Sequence, residues 1–335
     1  MGTKVAVFGA YGHTGRFVVA ELRARGFVPV LAGRDVGRLR AMADPGLEAR
    51  QASVDEPASL DRALAGTAAV INCAGPFAAT AGPVVAAALR AGLPYVDVAA
   101  EIEANLDTFA HFTAPAAEAG VVVVPAMAFF GGLGDLLVTA AMGDWTAADE
   151  VHIAYGLSSW HPTAGTLESG AVSSRRRDGR RVRFAEGRLQ YHQDALPTQE
   201  WPFPAPFGSR SVIGEFSMAD IVTVPSHLAV REVRTYMTAT AAADLAGGQA
   251  PTATDEHGRS AQTFVVDVLV RAGDAERRIA CTGQDIYAVS APLAVEAVDR
   301  LLTGRVRGTG VLSAGAAFDA RDFLRALAPH LSTRG

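Results

Sequence analysis

A short apolar run, Val5-Ala6-Val7-Phe8, is followed by a seven-residue loop with three glycines, Gly9-Ala10-Tyr11-Gly12-His13-Thr14-Gly15, and then by a helical pattern. A glycine loop between a strand and a helix limits the fold more than any other feature of the chain. Gly9 permits a tight turn. Gly12 lets the backbone approach an anion with no Cβ in the way, and Gly15 allows the helix to pack closely on the strand. The helix start then presents unpaired N–H groups and a partial positive charge. The loop predicts a βαβ unit in which Gly9, Ala10, Tyr11, Gly12, His13, Thr14 and Gly15 cradle the pyrophosphate of a dinucleotide. The alternative is a glycine-rich turn with no ligand.

The pattern behind the loop argues for the ligand. Strands are predicted at 4–8, 28–32, 49–53, 69–73, 95–98 and 121–124, with helices at 14–25, 38–43, 58–65, 84–91 and 103–119 between them. The run 69–73 is apolar on both faces, as a buried parallel strand requires. This alternation predicts an α/β fold, a Rossmann doubly wound parallel sheet. After about residue 130 the pattern changes. Strands are read at 150–158, 181–192, 210–224, 234–241 and 261–273, several of alternating polarity, with a proline-rich loop at 195–209. They predict a second α+β domain on a mostly antiparallel sheet. A helix at 290–302, the segment 308–312 and a last helix at 320–327 read as a return to the first domain. The expected units are thus 1–128 plus about 285–335 for the dinucleotide, and about 129–284 for substrate.

Composition bounds the rest. Of 335 residues, 49% are hydrophobic and 19% charged, and the net charge is −5. Such a chain offers no electrostatic case for nucleic acid or an anionic membrane. The apolar stretch 121–138 is broken by Pro125, by Gly131-Gly132-Leu133-Gly134 and by Asp135, so no membrane span is expected. The N-terminus runs straight into a strand, and no signal peptide is read. The two cysteines, Cys73 and Cys281, suit a reducing compartment, and a cytoplasmic location is expected. No metal site is read. Lys4 is the single lysine and precedes the first strand, which argues against Schiff-base chemistry or a lysine base.

The end of the second strand selects the cofactor. An acid there commonly binds the ribose 2′-hydroxyl of NAD, but here Arg34 precedes Asp35 and Arg38 follows. A guanidinium suits a 2′-phosphate, so NADP(H) is expected over NAD(H). The alternative leaves Asp35 on the ribose. Asp55, after the third strand, is a candidate for adenine or a helix cap. Ala74-Gly75-Pro76-Phe77, after the fourth strand, offers small residues and a rigid turn beside the nicotinamide ribose.

The blocks Val7–Gly15, Leu31-Ala32-Gly33-Arg34, Val70–Phe77 and Tyr95-Val96-Asp97-Val98 resemble the saccharopine dehydrogenase/reductase-like oxidoreductases, with the trans-acting enoyl reductase branch closest. The segments Ala164–Gly170 and Gly283–Tyr287 are similar to later parts of that family. The resemblance implies NAD(P)-dependent hydride transfer on a small-molecule substrate by an enzyme that is often a homodimer through its second domain. Two departures lie near the expected nicotinamide pocket: Ala99-Ala100-Glu101 where a Thr-Gly-Glu is common, and Ala128-Phe129-Phe130 where a Gly-Phe-Asp is common.

Hydride transfer needs a proton source and groups that orient the substrate. Asp97 and Glu101 end the fifth strand and are candidates for proton relay or amine binding. His161 lies in a loop before the Gly165-Thr166 helix start. That start is read as a site for a substrate carboxylate, with His161 as the proton donor. Tyr155 is a further substrate contact. Each has a structural alternative: a cap, a surface histidine, a packing tyrosine. The arginine run 175–181 reads as a solvated turn around Asp178-Gly179, or else as a grip on a phosphorylated or carrier-linked substrate. The leading expectation is hydride exchange with a C=N bond of an amino-acid-derived metabolite. The rivals are a C=C reductase on a lipid or carrier-bound substrate, and a non-catalytic NADP-binding sensor or scaffold. A large apolar cavity would favour the C=C reductase.

Overall fold

The computed structural model describes residues 2–42 and 46–335. The first half forms a parallel sheet of β1 (Lys4–Phe8), β2 (Val28–Gly33), β3 (Glu48–Gln51), β4 (Ala69–Asn72), β5 (Tyr95–Asp97) and β6 (Val122–Val124). The helices α1 (His13–Ala24), α2 (Val36–Met42), α3 (Pro57–Leu64), α4 (Phe77–Ala91) and α5 (Ile102–Glu118) connect them. The spatial order is β3-β2-β1-β4-β5-β6, and β15 (Gly310–Val311) adds to β6 as a seventh parallel strand. The order reverses between β1 and β4, and ligands of such sheets lie beyond the strand ends at this switch. The expected end of the second helix at residue 43 falls outside the described residues.

The remaining strands form the second sheet: β7 (Ala147–Leu157), β8 (Arg181–Ala185), β9 (Arg188–His192), β10 (Thr198–Pro202), β11 (Ser209–Gly214), β12 (Ala229–Thr238), β13 (Thr263–Ala272), β14 (Ala275–Gln284) and β16 (Ser332–Arg334). Their main order is β10-β11-β12-β7-β13-β14-β16, with the β8–β9 hairpin paired to β12. All pairs are antiparallel except β12 with β7. Alternate residues of β7 serve different cores. Val151, Ile153 and Tyr155 face the large core, while Ala154 packs with Trp201 and Tyr236 on the other side. The helices of this half are α6 (Gly134–Met142), α7 (Ala164–Arg176), α8 (Asp220–Thr223), α9 (Ala239–Gly247), α10 (Ser290–Leu302), α11 (Ala314–Ala317) and α12 (Ala320–Ala326). Among the described residues no helix is long and apolar enough to cross a membrane.

Several expected boundaries move, each for a physical reason. Helix α4 starts at Phe77 rather than at residue 84, because a distant side chain caps it, and Pro83 is carried inside. The run 181–192 is a hairpin, not one strand, and turns at Glu186 and Gly187, both with positive φ. Asp178-Gly179 instead closes the end of α7. The proline-rich 195–209 contains the edge strand β10, where Pro202 needs no ladder N–H. The strand expected at 210–224 stops at Gly214 and gives way to α8; the one at 234–241 starts earlier, at Ala229. Strand β14 was not anticipated, since its charged Glu276-Arg277-Arg278 hides the alternation. The C-terminal return is split: β15 joins the first sheet and β16 the second.

One core runs through both halves. It joins Val5, Val7 and Val96 under the first sheet to Val151, Ile153 and Val268 of the second, through Leu133, Leu136 and Leu137. The junction is held by a buried carboxyl. Asp220 Oδ1 accepts from Tyr155 OH at 2.8 Å and from Gly131 N at 3.2 Å. Gly131 has φ +95°, and a Cβ there would come within 2.8 Å of Ala126 Cβ.

Burial raises the pKa of Asp220 from 3.8 to about 6. A carboxyl whose folded pKa lies above its unfolded one contributes stability at low pH and loses it as pH rises through the folded value. Relative to Asp220→Asn, the wild type should therefore lose about 2 kcal/mol of stability between pH 4 and pH 8. Thermal unfolding of both proteins across that range measures this. A constant or growing wild-type advantage would contradict it.

Candidate functional site

The ends of β1, β2, β4 and β5 open on a cleft of about 980 Å³, closed on the far side by α7 and by Ile286, Tyr287 and Ser290. At its floor the glycine loop is locked by its own packing. Gly9 has φ +84°, and a Cβ there would lie 2.8 Å from Ala74 N; a Cβ at Gly15 would lie 2.3 Å from Gly9 O. Gly12 N donates to that same oxygen at 2.9 Å. Helix α1 therefore starts directly over the cleft. Its first turn has no side-chain cap and no acidic residue, so its N–H groups stay free for an anion. Gly9, Tyr11, Gly12, His13 and Thr14 line the cleft. Ala10 and Gly15 are buried beneath it and serve packing.

At the β2 end, Arg34 and Arg38 are exposed and line the cleft. The Arg38 guanidinium lies 4.5 Å from the centre of the Tyr11 ring. That ring covers Gly33, where a Cβ would come within 2.8 Å of it. Asp35 Oδ1 accepts from Arg38 N at 3.0 Å, so this carboxylate caps α2 and is not turned to the cleft. Asp55 is off the wall: it accepts from Ser53 Oγ at 3.2 Å, and its neighbour Val54 lines the cleft instead.

Beyond β4, Ala74, Gly75, Pro76 and Phe77 form the wall. The turn is built by side chains. Asn72 Oδ1 accepts from Ala74 N at 3.0 Å, and Thr80 Oγ1 donates to Ala74 O at 2.5 Å. Glu101 accepts from Phe77 N at 2.7 Å and Ala78 N at 2.9 Å, one oxygen to each. This is the distant cap that starts α4 early, and it satisfies two of the helix's orphan donors. Glu101 borders the cleft, yet its carboxylate is committed to that cap, which corrects its reading as an acid–base group. Asp97 is corrected further. It is fully buried and absent from the wall. Its carboxylate accepts from Ala99 N, Ala126 N and Tyr95 OH at 3.0, 2.8 and 2.8 Å, tying β5 to the chain after β6. Burial raises its pKa to about 6 despite these bonds. Cys73 lines the cleft, but burial pushes its thiol far up, so it stays protonated and unreactive.

Past the turn the cleft widens into an apolar room with Phe77, Phe129, Phe130, Trp160, Phe216 and Met218 on its walls. Phe130 packs on Phe129 and Trp160 with ring centres 4.9 and 5.3 Å apart, and Trp160 lies 6.0 Å from Phe216. Helix α7 roofs this room. Thr163 caps it by accepting from Thr166 N at 3.1 Å, and Gly165 and Thr166 line the cleft as expected of that helix start. Its far end is fixed by Arg177 to Glu103 at 3.2 Å, by Arg176 to Asp107 at 2.8 Å, and by Ser173 donating to Glu103. Arg177 and Arg181 reach the cleft wall, so the arginine run is not wholly a solvated turn.

His161 and Tyr155 are not on the wall. Only the His161 carbonyl takes part, accepting from Tyr287 OH at 3.4 Å; its ring Nδ1 is buried without a hydrogen bond. Tyr155 is wholly buried against Asp220. In their place the structure brings forward Tyr287, whose hydroxyl meets Trp160 Nε1, Thr163 N and Thr166 Oγ1 at 3.2, 3.3 and 3.0 Å. It was visible in the sequence only as part of the segment 283–287.

Comparison with known proteins gives three likenesses. The saccharopine dehydrogenase NADP binding domain matches residues 5–124. A probable mitochondrial saccharopine dehydrogenase-like oxidoreductase of Arabidopsis thaliana is 32% identical over 142 residues, 37% of this chain and 31% of that protein. A saccharopine dehydrogenase-like oxidoreductase of Mus musculus is 28% identical over 145 residues, 37% of this chain and 34% of that protein. The aligned part thus spans about a third of these relatives. Among solved structures, apo saccharopine dehydrogenase (L-Glu forming) from Saccharomyces cerevisiae superposes with a TM-score of 0.66 over 99% of both chains at 14% identity, a likeness of fold.

The cap makes a specific prediction. Glu101→Ala leaves Phe77 N and Ala78 N without their charged acceptor and should lower stability by about 2–4 kcal/mol, whereas Glu101→Gln keeps one acceptor and should lose less than half of that. Chemical denaturation checks this. Equal losses for the two variants would remove the cap from the explanation.

Proposed function

We propose that the chain, whose residues 5–124 match the saccharopine dehydrogenase NADP binding domain, is an NADP(H)-dependent oxidoreductase exchanging a hydride with a double bond of an apolar metabolite. The observation that carries this reading is that one cleft is lined both by the glycine loop and by the aromatic side chains of the room. Bound NADPH would supply the hydride. The chain's own residues do the rest. The start of α1 neutralises the pyrophosphate, and the turn 74–77, held by Asn72, Thr80 and Glu101, shapes the wall beside it. The aromatic room excludes water from the reacting bond. A sensor without catalysis would need no such room.

NADP(H) over NAD(H) is supported by the charges at the β2 end. Asp35 is occupied as a cap, while Arg34 and Arg38 present their guanidinium groups to the cleft. The character of the room bears on the bond reduced. Recognition of an amino-acid imine calls for converging charges, but the candidates His161, Asp97 and Glu101 are off the wall or committed to backbone N–H groups. Conjugated C=C reduction on an apolar chain is therefore the better fit. Hydride exchange with a C=N bond of an amino-acid-derived metabolite is the second reading, favoured by Arg177 and Arg181 on the wall, whose guanidinium groups suit a substrate carboxylate. The reading includes a homodimer through the second domain, whose sheet ends in the edge strand β10. It also includes a reducing, cytoplasmic setting, in keeping with the free thiols Cys73 and Cys281.

Titrating the fluorescence of the reduced nicotinamide should give tighter binding of NADPH than of NADH by about 10- to 100-fold, the worth of one or two charge-assisted contacts. Arg34→Ala should weaken NADPH binding by about that factor and leave NADH unchanged. A wild-type preference for NADH would contradict the assignment. Absorbance at 340 nm should fall faster with trans-2-octenoyl-N-acetylcysteamine, an apolar conjugated thioester, than with 1-pyrroline-2-carboxylate, a charged imine. The reverse order would restore the C=N reading.

A further inference from the structure

A hydride delivered to one end of a double bond needs a proton at the other, and the acids first considered do not supply it. Tyr287 is placed differently. It follows the second sheet and precedes α10, which packs against β4, β5 and the residues 129–133. Its ring is 5.2 Å from that of His13 in the glycine loop, and its hydroxyl bonds to Trp160 of the aromatic room. The tyrosine thus stands where the pyrophosphate end of the cleft passes into the room.

Two N–H groups converge on its oxygen. Trp160 Nε1 and Thr163 N both donate to it, at 3.2 and 3.3 Å, and Thr166 Oγ1 lies 3.0 Å away. Its own proton can pass to Thr166 Oγ1, at 3.0 Å, or to the His161 carbonyl, at 3.4 Å. An oxygen addressed by two fixed N–H donors, with a hydroxyl beside it that can turn to donate, is arranged to survive as an anion once its proton leaves. We propose that Tyr287 is the proton donor of the reaction and a catalytic residue, an inference that rests on the hydride-transfer reading above.

The step balances. NADPH gives up a hydride, two electrons and one proton, to the electron-poor atom of the substrate double bond and becomes NADP+. The π electron pair moves to the neighbouring atom and takes the proton from Tyr287 as its O–H bond breaks. The phenolate left behind accepts from Trp160 Nε1, Thr163 N and the Thr166 hydroxyl. Thr166 Oγ1 lies 2.9 Å from Thr163 Oγ1, and both threonines are half-exposed, so a proton returns from water along these hydroxyls. Burial holds the free tyrosine above its ordinary pKa, which keeps the donor loaded at neutral pH. Asp285 also faces it and acts in the same direction.

Two measurements test this. The first needs no substrate. Tyrosine labelled with 13C at Cζ gives six resonances, and the Tyr287→Phe spectrum identifies the one of interest. If the hydroxyl lies beside the nicotinamide, this tyrosine ionises about one pH unit lower in the NADP+ complex, whose ring is cationic, than in the NADPH complex. Identical titration in the two complexes would overturn the proposal. The second is turnover of trans-2-octenoyl-N-acetylcysteamine. Tyr287→Phe should lower kcat at least 100-fold while NADPH affinity stays within threefold and Tm within a few degrees. A kcat within threefold of wild type would also overturn it. If the wild type fails to reduce the thioester, the C=C reading falls instead. The shift of the Tyr287 resonance with cofactor charge then decides the proton donor on its own.

Discussion

The structure depends on how closely the chain can pass itself at Gly9. Its carbonyl oxygen receives Gly12 N and lies where any side chain at residue 15 would have to sit, and its own α-carbon presses on Ala74. Three segments meet there: the end of β1, the start of α1 and the turn after β4. Because no Cβ intervenes, α1 begins with its bare N–H groups over the cleft, and β4 ends beside them. The anion site and the wall that shapes the rest of the cleft are consequences of one packing constraint.

Around that point the buried carboxylates do architectural work. Glu101 caps α4, Asp97 ties β5 to the chain after β6, and Asp220 pins Gly131 where the two halves of the molecule join. Each receives two or more donors, mostly backbone N–H groups, which is the form in which a protein can keep such groups out of water. Their engagement turns these carboxylates away from the cleft, whose walls carry aromatic rings and hydroxyls together with Arg177 and Arg181.

Much of this was legible in the sequence, and the reasons differ by element. The parallel sheet is local in character: each strand and helix carries its own periodicity and stop signal, so the order of the first 125 residues could be read directly. The glycine loop and Arg34 also declare themselves, because their chemistry depends on neighbours in the chain. Glu101 and Asp97 misled for the opposite reason. Their partners, Phe77, Ala78 and Ala126, are more than 20 residues away, and a carboxylate at a strand end reads the same whether it faces substrate or a helix start. His161 was chosen for its loop position, but only its carbonyl points at the hub. Tyr287 escaped notice because the four partners of its hydroxyl come from residues 160–166, over 120 positions earlier.

A crystal structure of the NADP+ complex is the most direct test of the shared cleft. The pyrophosphate is expected against the N–H groups of His13 and Thr14, the 2′-phosphate between Arg34 and Arg38, and the nicotinamide facing the Tyr287 hydroxyl at the mouth of the aromatic room. A dinucleotide lying in the reverse sense, or with its nicotinamide turned out to solvent and the room closed off, would contradict it.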